Sequence, residues 1–295
     1  MKKFILALVT LSLFTACSGN KQTQSFDTSS ASSAVSSVSY HNIVGETSQN
    51  EVRELLKGRI GNESAELFLN DVATYNALIP NLRKEYKEVA SVPISYDEMS
   101  IASAWEKSNP EFIGENCRIT TFGLIKDAIE LEANKDIPPN LPFDNNSLES
   151  TGKFNLDEQH KFNTYYHQVP TENTQDIELH VKKMKDYYQK IGLHYNLPED
   201  VSVISVVFHD TIDPENINLF VGHTGLLIKE KNNYTFIEKL SFDLPYQIVR
   251  FKDKQQLNDY LMKYYDVSWG QDMARPFIME NGELLKEYRT LPNTP

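Results

Sequence analysis

Of the two cysteines in the 295 residues, Cys17 and Cys117, the second is the residue best placed to do chemistry. Asn116 and Cys117 precede Ile119, Phe122, Ile125 and Ile129, apolar positions at helical spacing, so the pattern predicts a helix that opens at this cysteine. A thiol in the first turn of a helix meets N–H groups that lack intrahelical acceptors and the positive end of the helix dipole, and both favour the thiolate. The same N–H groups suit the oxyanion that forms when a thiolate attacks a carbonyl. Such a nucleophile needs a base, and of the seven histidines His223 is the best candidate. It interrupts an otherwise apolar strand, Val221-Gly222-His223-Thr224-Gly225-Leu226, whose glycines clear space beside the imidazole. Fifteen residues later, Glu238 lies in the strand Phe236-Ile237-Glu238-Lys239-Leu240. Side chains alternate along strands, so one of the two pairing parities puts residues 223 and 238 on one face, where Glu238 would orient the imidazole as the third member of a triad. The competing reading is structural: free cysteines are among the most buried residue types, a histidine can be a satisfied core residue, and Glu238 can be a solvated strand position.

The flanking elements have to position these three side chains. Ser48 with Glu51, and Ser95 with Glu98, have the spacing of capping boxes, and Asn62 opens a pattern that runs to Pro80; residues 46–110 therefore read as a helical annex. Residues 134–156, rich in Pro and Asn, read as loop, and Asp157–His167 and Asp176–Ile191 as helices, the second closed by Gly192. After Pro198 the character changes. Val201–Phe208, Leu219–Ile228, Tyr234–Phe242 and Tyr246–Phe251 are β-branched and aromatic runs, with Lys231-Asn232-Asn233 as a hairpin turn, and a last helix follows from Asp253 to Tyr265. Helices first and an antiparallel sheet after give an α+β fold over residues 111–295.

The N-terminus has the layout of an export signal: Lys2 and Lys3, an apolar run from Phe4 to Phe14, then Thr15 and Ala16 before Cys17. The run is too short to span a bilayer. It resembles the lipobox of bacterial lipoproteins, with Phe14 where leucine is usual. The resemblance implies cleavage before Cys17 and lipidation of that sulfur, and hence a protein anchored on the outer face of the cell membrane. Residues 18 to about 40 are dominated by Ser, Thr, Gln and Ala and read, with the lipidated cysteine, as a tether over 17–45. Loss of Lys2 and Lys3 with the leader leaves 27 basic and 41 acidic side chains, a net charge of −14. So acidic a chain is a poor partner for nucleic acid and for anionic lipid, and membrane residence falls to the acyl chains on Cys17. Lipidation also leaves Cys117 unpaired in a disulfide-permissive compartment, where a lone thiol is buried or used.

A cysteine opening a helix, a histidine on a later strand and a polar residue on the next resemble the order of papain-like hydrolases of the NlpC type, although Asn116, Arg118 and Ile119 replace the other members of that family's usual word. Transglutaminase-like folds share this order. The resemblance implies cleavage of an amide or peptide bond of the cell envelope, with Cys117, His223 and Glu238 catalytic and Asn116 and Arg118 beside the substrate, and it implies no cofactor. The whole mature chain further resembles a family of Gram-positive lipoproteins marked by Asn-Cys-Arg, here Asn116-Cys117-Arg118, and known as domain of unknown function 4300; this resemblance implies no activity. A binding lipoprotein that holds an envelope ligand or partner protein is the alternative of a different class. A third reading gives a role to the released leader, because apolar lipoprotein leaders resemble mating pheromones. Other signals are weak: His209, Asp210, Asp213 and Glu215 lack the spacing of a calcium loop, and His160 and His167 stand too far apart for one metal. The anchoring expectation is decided by mass spectrometry of the mature N-terminus, which should show a diacylglyceryl cysteine at residue 17, and by release of a Cys17→Ala variant from membranes.

Overall fold

The computed structural model describes residues 37–89, 93–108, 114–138, 142–267 and 272–292; Cys17 and the Ser-rich residues before 37 lie outside them. In chain order the elements are β1 (Val38–His41), α1 (Glu46–Leu56), α2 (Asn62–Leu78), β2 (Lys87–Val89), α3 (Glu98–Ser108), α4 (Cys117–Ile125), β3 (Ile129–Glu130), α5 (Pro142–Thr151), α6 (Leu156–Tyr165), β4 (Val169–Pro170), α7 (Ile177–Lys190), β5 (His194–Tyr195), β6 (Val201–Asp210), β7 (Asn218–Lys229), β8 (Tyr234–Lys239), β9 (Tyr246–Phe251), α8 (Lys254–Tyr265), β10 (Phe277–Glu280) and β11 (Glu283–Leu284). Nine strands make one sheet in the order β11-β10-β6-β7-β8-β9-β1-β2, with β4 added on β7. Its pairings are all antiparallel, and the fold is α+β. A separate pair, β3 with β5, ties the end of the α4 region to the chain after α7.

The period-2 alternation of the central strands feeds two cores, one on each face of the sheet. Val203, Leu226, Ile237 and Ile248 line up across β6 to β9 and pack, on one face, with Val52, Phe68, Val72, Ile119 and Phe122 of α1, α2 and α4. Ile204, Leu227, Phe236 and Val249 point to the other face and meet Leu257, Tyr260 and Leu261 of α8. Burial on both faces explains why these strands read as nearly continuous apolar runs. Helix α4 lies inside the molecule, with every residue buried except Gly123, so the single apolar stripe in its sequence understates its burial.

Several local expectations give way to tertiary context. The tether does not extend to residue 45: Val38 and Tyr40 are buried, and β1 pairs β9 through Tyr40↔Val249 and β2 through Tyr40↔Lys87. The Ser-rich run before it hides a four-residue alternation that finds its partners only far along the chain. Nor are residues 46–110 a separate annex, because α1, α2 and α3 contribute to the same core as α4 and the sheet. Neither serine capping box forms there. Gly45 stands at the N-cap of α1 while the Ser48 hydroxyl donates to Val44 O, and Asp97, not Ser95, accepts the Ser100 amide at the start of α3. Helix α5 occupies the middle of the expected loop 134–156; it opens at a proline, which a first turn tolerates, and is anchored by the Ser147 hydroxyl on Gly114 O at 2.5 Å. Among the described residues no helix is long and apolar enough to cross a membrane.

Because β1 joins β2 to the sheet and buries Val38 and Tyr40, a chain beginning at Asn42 should be less stable than one beginning at Ser37 by about 3 kcal/mol or more, taking ~1.5–3 kcal/mol for each large apolar side chain buried. Urea unfolding of the two chains measures the difference.

Candidate active site

Strand β7 carries the site because one of its edges is incompletely paired. On the side away from β6, β8 pairs with residues 225–229 and β4 with residues 218 and 219, which leaves residues 220–224 without a strand there among the described residues. The N-terminus of α4 fills this gap. The Cys117 thiol lies 3.8 Å from Gly222 O, which it can reach as a donor, and accepts from the Thr224 N–H, so the sulfur stands where a neighbouring strand would. Arg118 Nη1 donates to Val221 O at 2.9 Å. Opposite this point β7 bulges against β6, with Val206 facing His223 and Val207 facing Val221, so Gly222 is the extra residue. A Cβ on Gly222 would come 2.2 Å from the Phe208 ring, and one on Gly225 2.5 Å from the Phe236 ring. The two glycines that flag the histidine in the sequence therefore admit aromatic rings.

Asn116 caps α4: its Oδ1 accepts the Ile119 N–H at 3.0 Å, leaving the amides of Cys117 and Arg118 without intrahelical acceptors. Its Nδ2 donates to Asp144 Oδ1 at 2.5 Å, and Arg118 grips both Asp144 oxygens through Nε and Nη2, each at 2.9 Å. Arg118, Asn116 and Asp144 are all buried. Asn116 and Arg118, expected beside a substrate, thus spend their polar groups inside the protein, locking α4 to α5 and to β7. Asp144 was hidden from sequence reasoning because its segment reads as loop.

The structure brings Cys117, His223 and Glu238 together. Glu238 pairs directly with Gly225, two residues from His223, so the parity is the favourable one and both side chains lie on the α8 face. His223 Nε2 is 2.6 Å from Glu238 Oε2, and the imidazole shares a further hydrogen bond with the Cys117 thiol, for which Nδ1 remains. The Tyr265 ring stacks on the imidazole with centroids 4.6 Å apart. Cys117 is 4 % exposed, and His223 and Glu238 are 1 % exposed each.

The electrostatics follow from this burial. Desolvation by itself would push the thiol up and the imidazole down. The hydrogen bond and charge of His223, the nearby Arg118 guanidinium and the Thr224 amide outweigh it at Cys117, holding the thiol below its ordinary range. The bonds to Cys117 and Glu238 likewise outweigh it at His223, whose imidazole is raised to about 9. The two shifts describe one ion pair, thiolate with imidazolium. As a thiolate the sulfur no longer donates to Gly222 O but keeps the Thr224 N–H and the imidazolium.

Two further charged groups, Lys239 buried and Lys153 half-buried, lie close by, with no signal in the sequence. Burial pushes the Lys239 ammonium down to about 7; it donates to Phe242 O and Leu244 O and sits 4.0 Å from the centre of the Tyr75 ring. Lys153 bridges Asp71 and Glu115, each at 2.5 Å. The polar cluster at 209–215 is the end of β6 and the turn after it, in which Asp210 and Asp213 accept the amides of Ile212 and Glu215, and His209 Nδ1 accepts the Ala274 N–H.

The sequence matches Domain of unknown function (DUF4300) over residues 39–285, from within β1 to β11. The chain belongs to that family. Comparison with curated proteins and with solved structures finds no match. The matched span includes the whole site and the β1 pairing that completes the sheet.

The fixed position of α4 depends on the Arg118–Asp144 pair. Asp144→Asn leaves a buried guanidinium without its counter-charge, and should lower the unfolding free energy by about 3–5 kcal/mol, as breaking a buried ion pair does. Chemical denaturation with intrinsic fluorescence provides the comparison.

Proposed function

We propose that this protein is a membrane-anchored extracytoplasmic lipoprotein, held through Cys17 on the outer face of the bacterial cell membrane, whose domain is a thiol hydrolase acting on amide or peptide bonds of the cell envelope. The observation that carries the reading is the buried line Cys117–His223–Glu238, in which a thiol at a helix N-terminus shares a hydrogen bond with an imidazole whose other nitrogen is 2.6 Å from a carboxylate oxygen. A structural cysteine needs none of this, because a small apolar side chain would fill the same space without two buried charges. The order of the three residues along the chain, and the resemblance to NlpC-type hydrolases that it suggests, support the same chemistry.

In that chemistry the Cys117 sulfur attacks the carbonyl carbon, a carbon–sulfur bond forms, and the carbonyl oxygen takes the negative charge next to the amides at the start of α4. Collapse expels the amine, which takes its proton from His223 Nδ1 and leaves a thioester. Water then attacks the thioester, His223 Nδ1 accepts its proton, and departure of the sulfur restores the ion pair and releases the acid. Glu238 stays hydrogen-bonded to Nε2 throughout and holds the ring.

One observation favours a second reading. With Cys117 only 4 % exposed, a non-catalytic lipoprotein that binds an envelope ligand or partner protein would place the same residues inside its core. The thiol separates the two. Because its pKa is lowered, Cys117 in the hydrolase carries more thiolate than a free cysteine at the same pH and should react with a small alkylating agent faster; His223→Ala should slow the reaction about tenfold or more, and Glu238→Gln less. The rate should climb with pH as the thiolate forms, at lower pH than for a free cysteine, and again as the imidazole deprotonates near 9 and ceases to pair with it. A thiol that reacts only in denaturant selects the binding reading. Release of new amino and carboxyl groups from isolated cell envelopes by the wild-type protein, absent with Cys117→Ala, would identify the substrate class.

A further inference from the structure

Glu238 stands at the end of a hydrogen-bond chain in which every proton is assigned by the group before it. The chain begins at a main-chain donor, the Arg83 N–H, which bonds Asn42 Oδ1 at 2.9 Å. That bond turns Asn42 Nδ2 towards Tyr246 O, at 3.0 Å, and towards the Tyr96 hydroxyl, at 2.7 Å. The Tyr96 oxygen, already accepting, gives its own proton to Gln247 Oε1 at 2.7 Å. The amide of Gln247 is thereby oriented with Nε2 facing inwards, and it donates at 2.8 Å to both Glu238 Oε1 and the Tyr260 oxygen. The Tyr260 hydroxyl in turn donates to Glu238 Oε1 at 2.8 Å. Asn42 and Gln247 are fully buried and Tyr260 is 1 % exposed, so solvent does not compete along the inner part of this path.

The direction has a consequence for the site. Glu238 receives from Gln247 and Tyr260 on one oxygen, and the other faces His223 Nε2. A carboxylate that only accepts requires a proton on that nitrogen, so the deprotonated imidazole carries it on Nε2 and offers Nδ1 to the thiol. We infer that Gln247 and Tyr260, with Tyr96 behind them, are positioning residues that fix the tautomer and orientation of His223 through Glu238. The inference rests on the thiol-hydrolase reading for its catalytic meaning, but the geometry it describes can be measured without any substrate. A chain of this kind fits a nucleophile that has to be ready before substrate arrives; packing α8 onto the sheet would need only the apolar contacts of Leu257 and Leu261.

The test uses the full mature chain with nitrogen-15 labelled histidine. Nuclear magnetic resonance follows the His223 ring nitrogens across pH in the wild type and in Tyr260→Phe, Gln247→Leu and Tyr96→Phe, alongside alkylation of Cys117 at neutral pH. In the wild type the nitrogen that loses its proton at high pH should be Nδ1. In Tyr260→Phe and Gln247→Leu the titration midpoint of His223 should fall by about half to one pK unit, about a threefold to tenfold change in its proton affinity, and alkylation should slow in the same order. Tyr96→Phe, one bond farther out, should act in the same direction and less. If the variants melt at lower temperature while the His223 midpoint and tautomer stay as in the wild type, the chain is only structural and the inference is overturned. Should Gln247→Leu not fold, Tyr260→Phe decides, since it removes one oxygen and keeps the ring in its packing. A Cys117 that is inert in every folded chain would defeat the hydrolase reading, and the ring-nitrogen result would still decide the positioning role by itself.

Discussion

Five residues of β7 present main-chain groups to a side where, among the described residues, no strand meets them, and the first turn of α4 answers those groups. The arrangement of the molecule follows from this substitution. Buried main-chain polar groups have to be paired, and here the partners are a thiol and a guanidinium. A helix that supplies them must bring its end up to the sheet, which buries all of it but Gly123 and places its N-terminus between the two cores. The sulfur thus comes within reach of a histidine that points to the α8 face while the rest of α4 packs on the opposite one. The bulge at Gly222 belongs to the same construction, because it shifts the alternation at the point where the helix docks.

Holding a helix end in that gap concentrates charge in the interior, and each charge is answered locally. Arg118 is gripped by Asp144, Lys153 by Asp71 and Glu115, and the thiolate by the imidazolium. Lys239 is met by two carbonyls and two aromatic rings. Such groups add little net stability, since desolvation cancels most of what pairing returns, but they make alternative packings expensive. The result is a thiol whose partners are fixed before any substrate is present, the condition that acyl transfer by a cysteine requires.

Much of this could be read from the sequence, and the rest was hidden for physical reasons. The Asn116 cap, the helix that starts at Cys117 and the long strands β6 to β9 rest on local periodicity and on side-chain types whose preferences are strong, whereas the parity of His223 with Glu238 stays open in the sequence and is decided by the pairing of Gly225 with Glu238. Strand β1 was invisible, because four alternating residues after a Ser-rich run carry little signal and their partners in β2 and β9 are distant along the chain, at Lys87–Val89 and Ile248–Arg250. Helix α5 reads as loop because its composition favours turns; what holds it is tertiary, the bond that Ser147 donates to Gly114 and those that Asp144 accepts from Asn116 and Arg118. Asn116 and Arg118 looked like ligand-facing residues beside a nucleophile. No periodicity could indicate that a carboxylate from another helix would claim both.

The central claim is that Cys117 exists as a thiolate paired with His223 at neutral pH. The most direct measurement is the ultraviolet absorbance of the thiolate, taken as the difference between wild type and Cys117→Ala while pH is varied on the folded protein. The account predicts a thiolate band already present at neutral pH, lost on acidification through the lowered pKa of Cys117, and absent at neutral pH when His223 is replaced by Ala. A band that appears only in alkaline solution, with the same midpoint whether or not His223 is present, would contradict it.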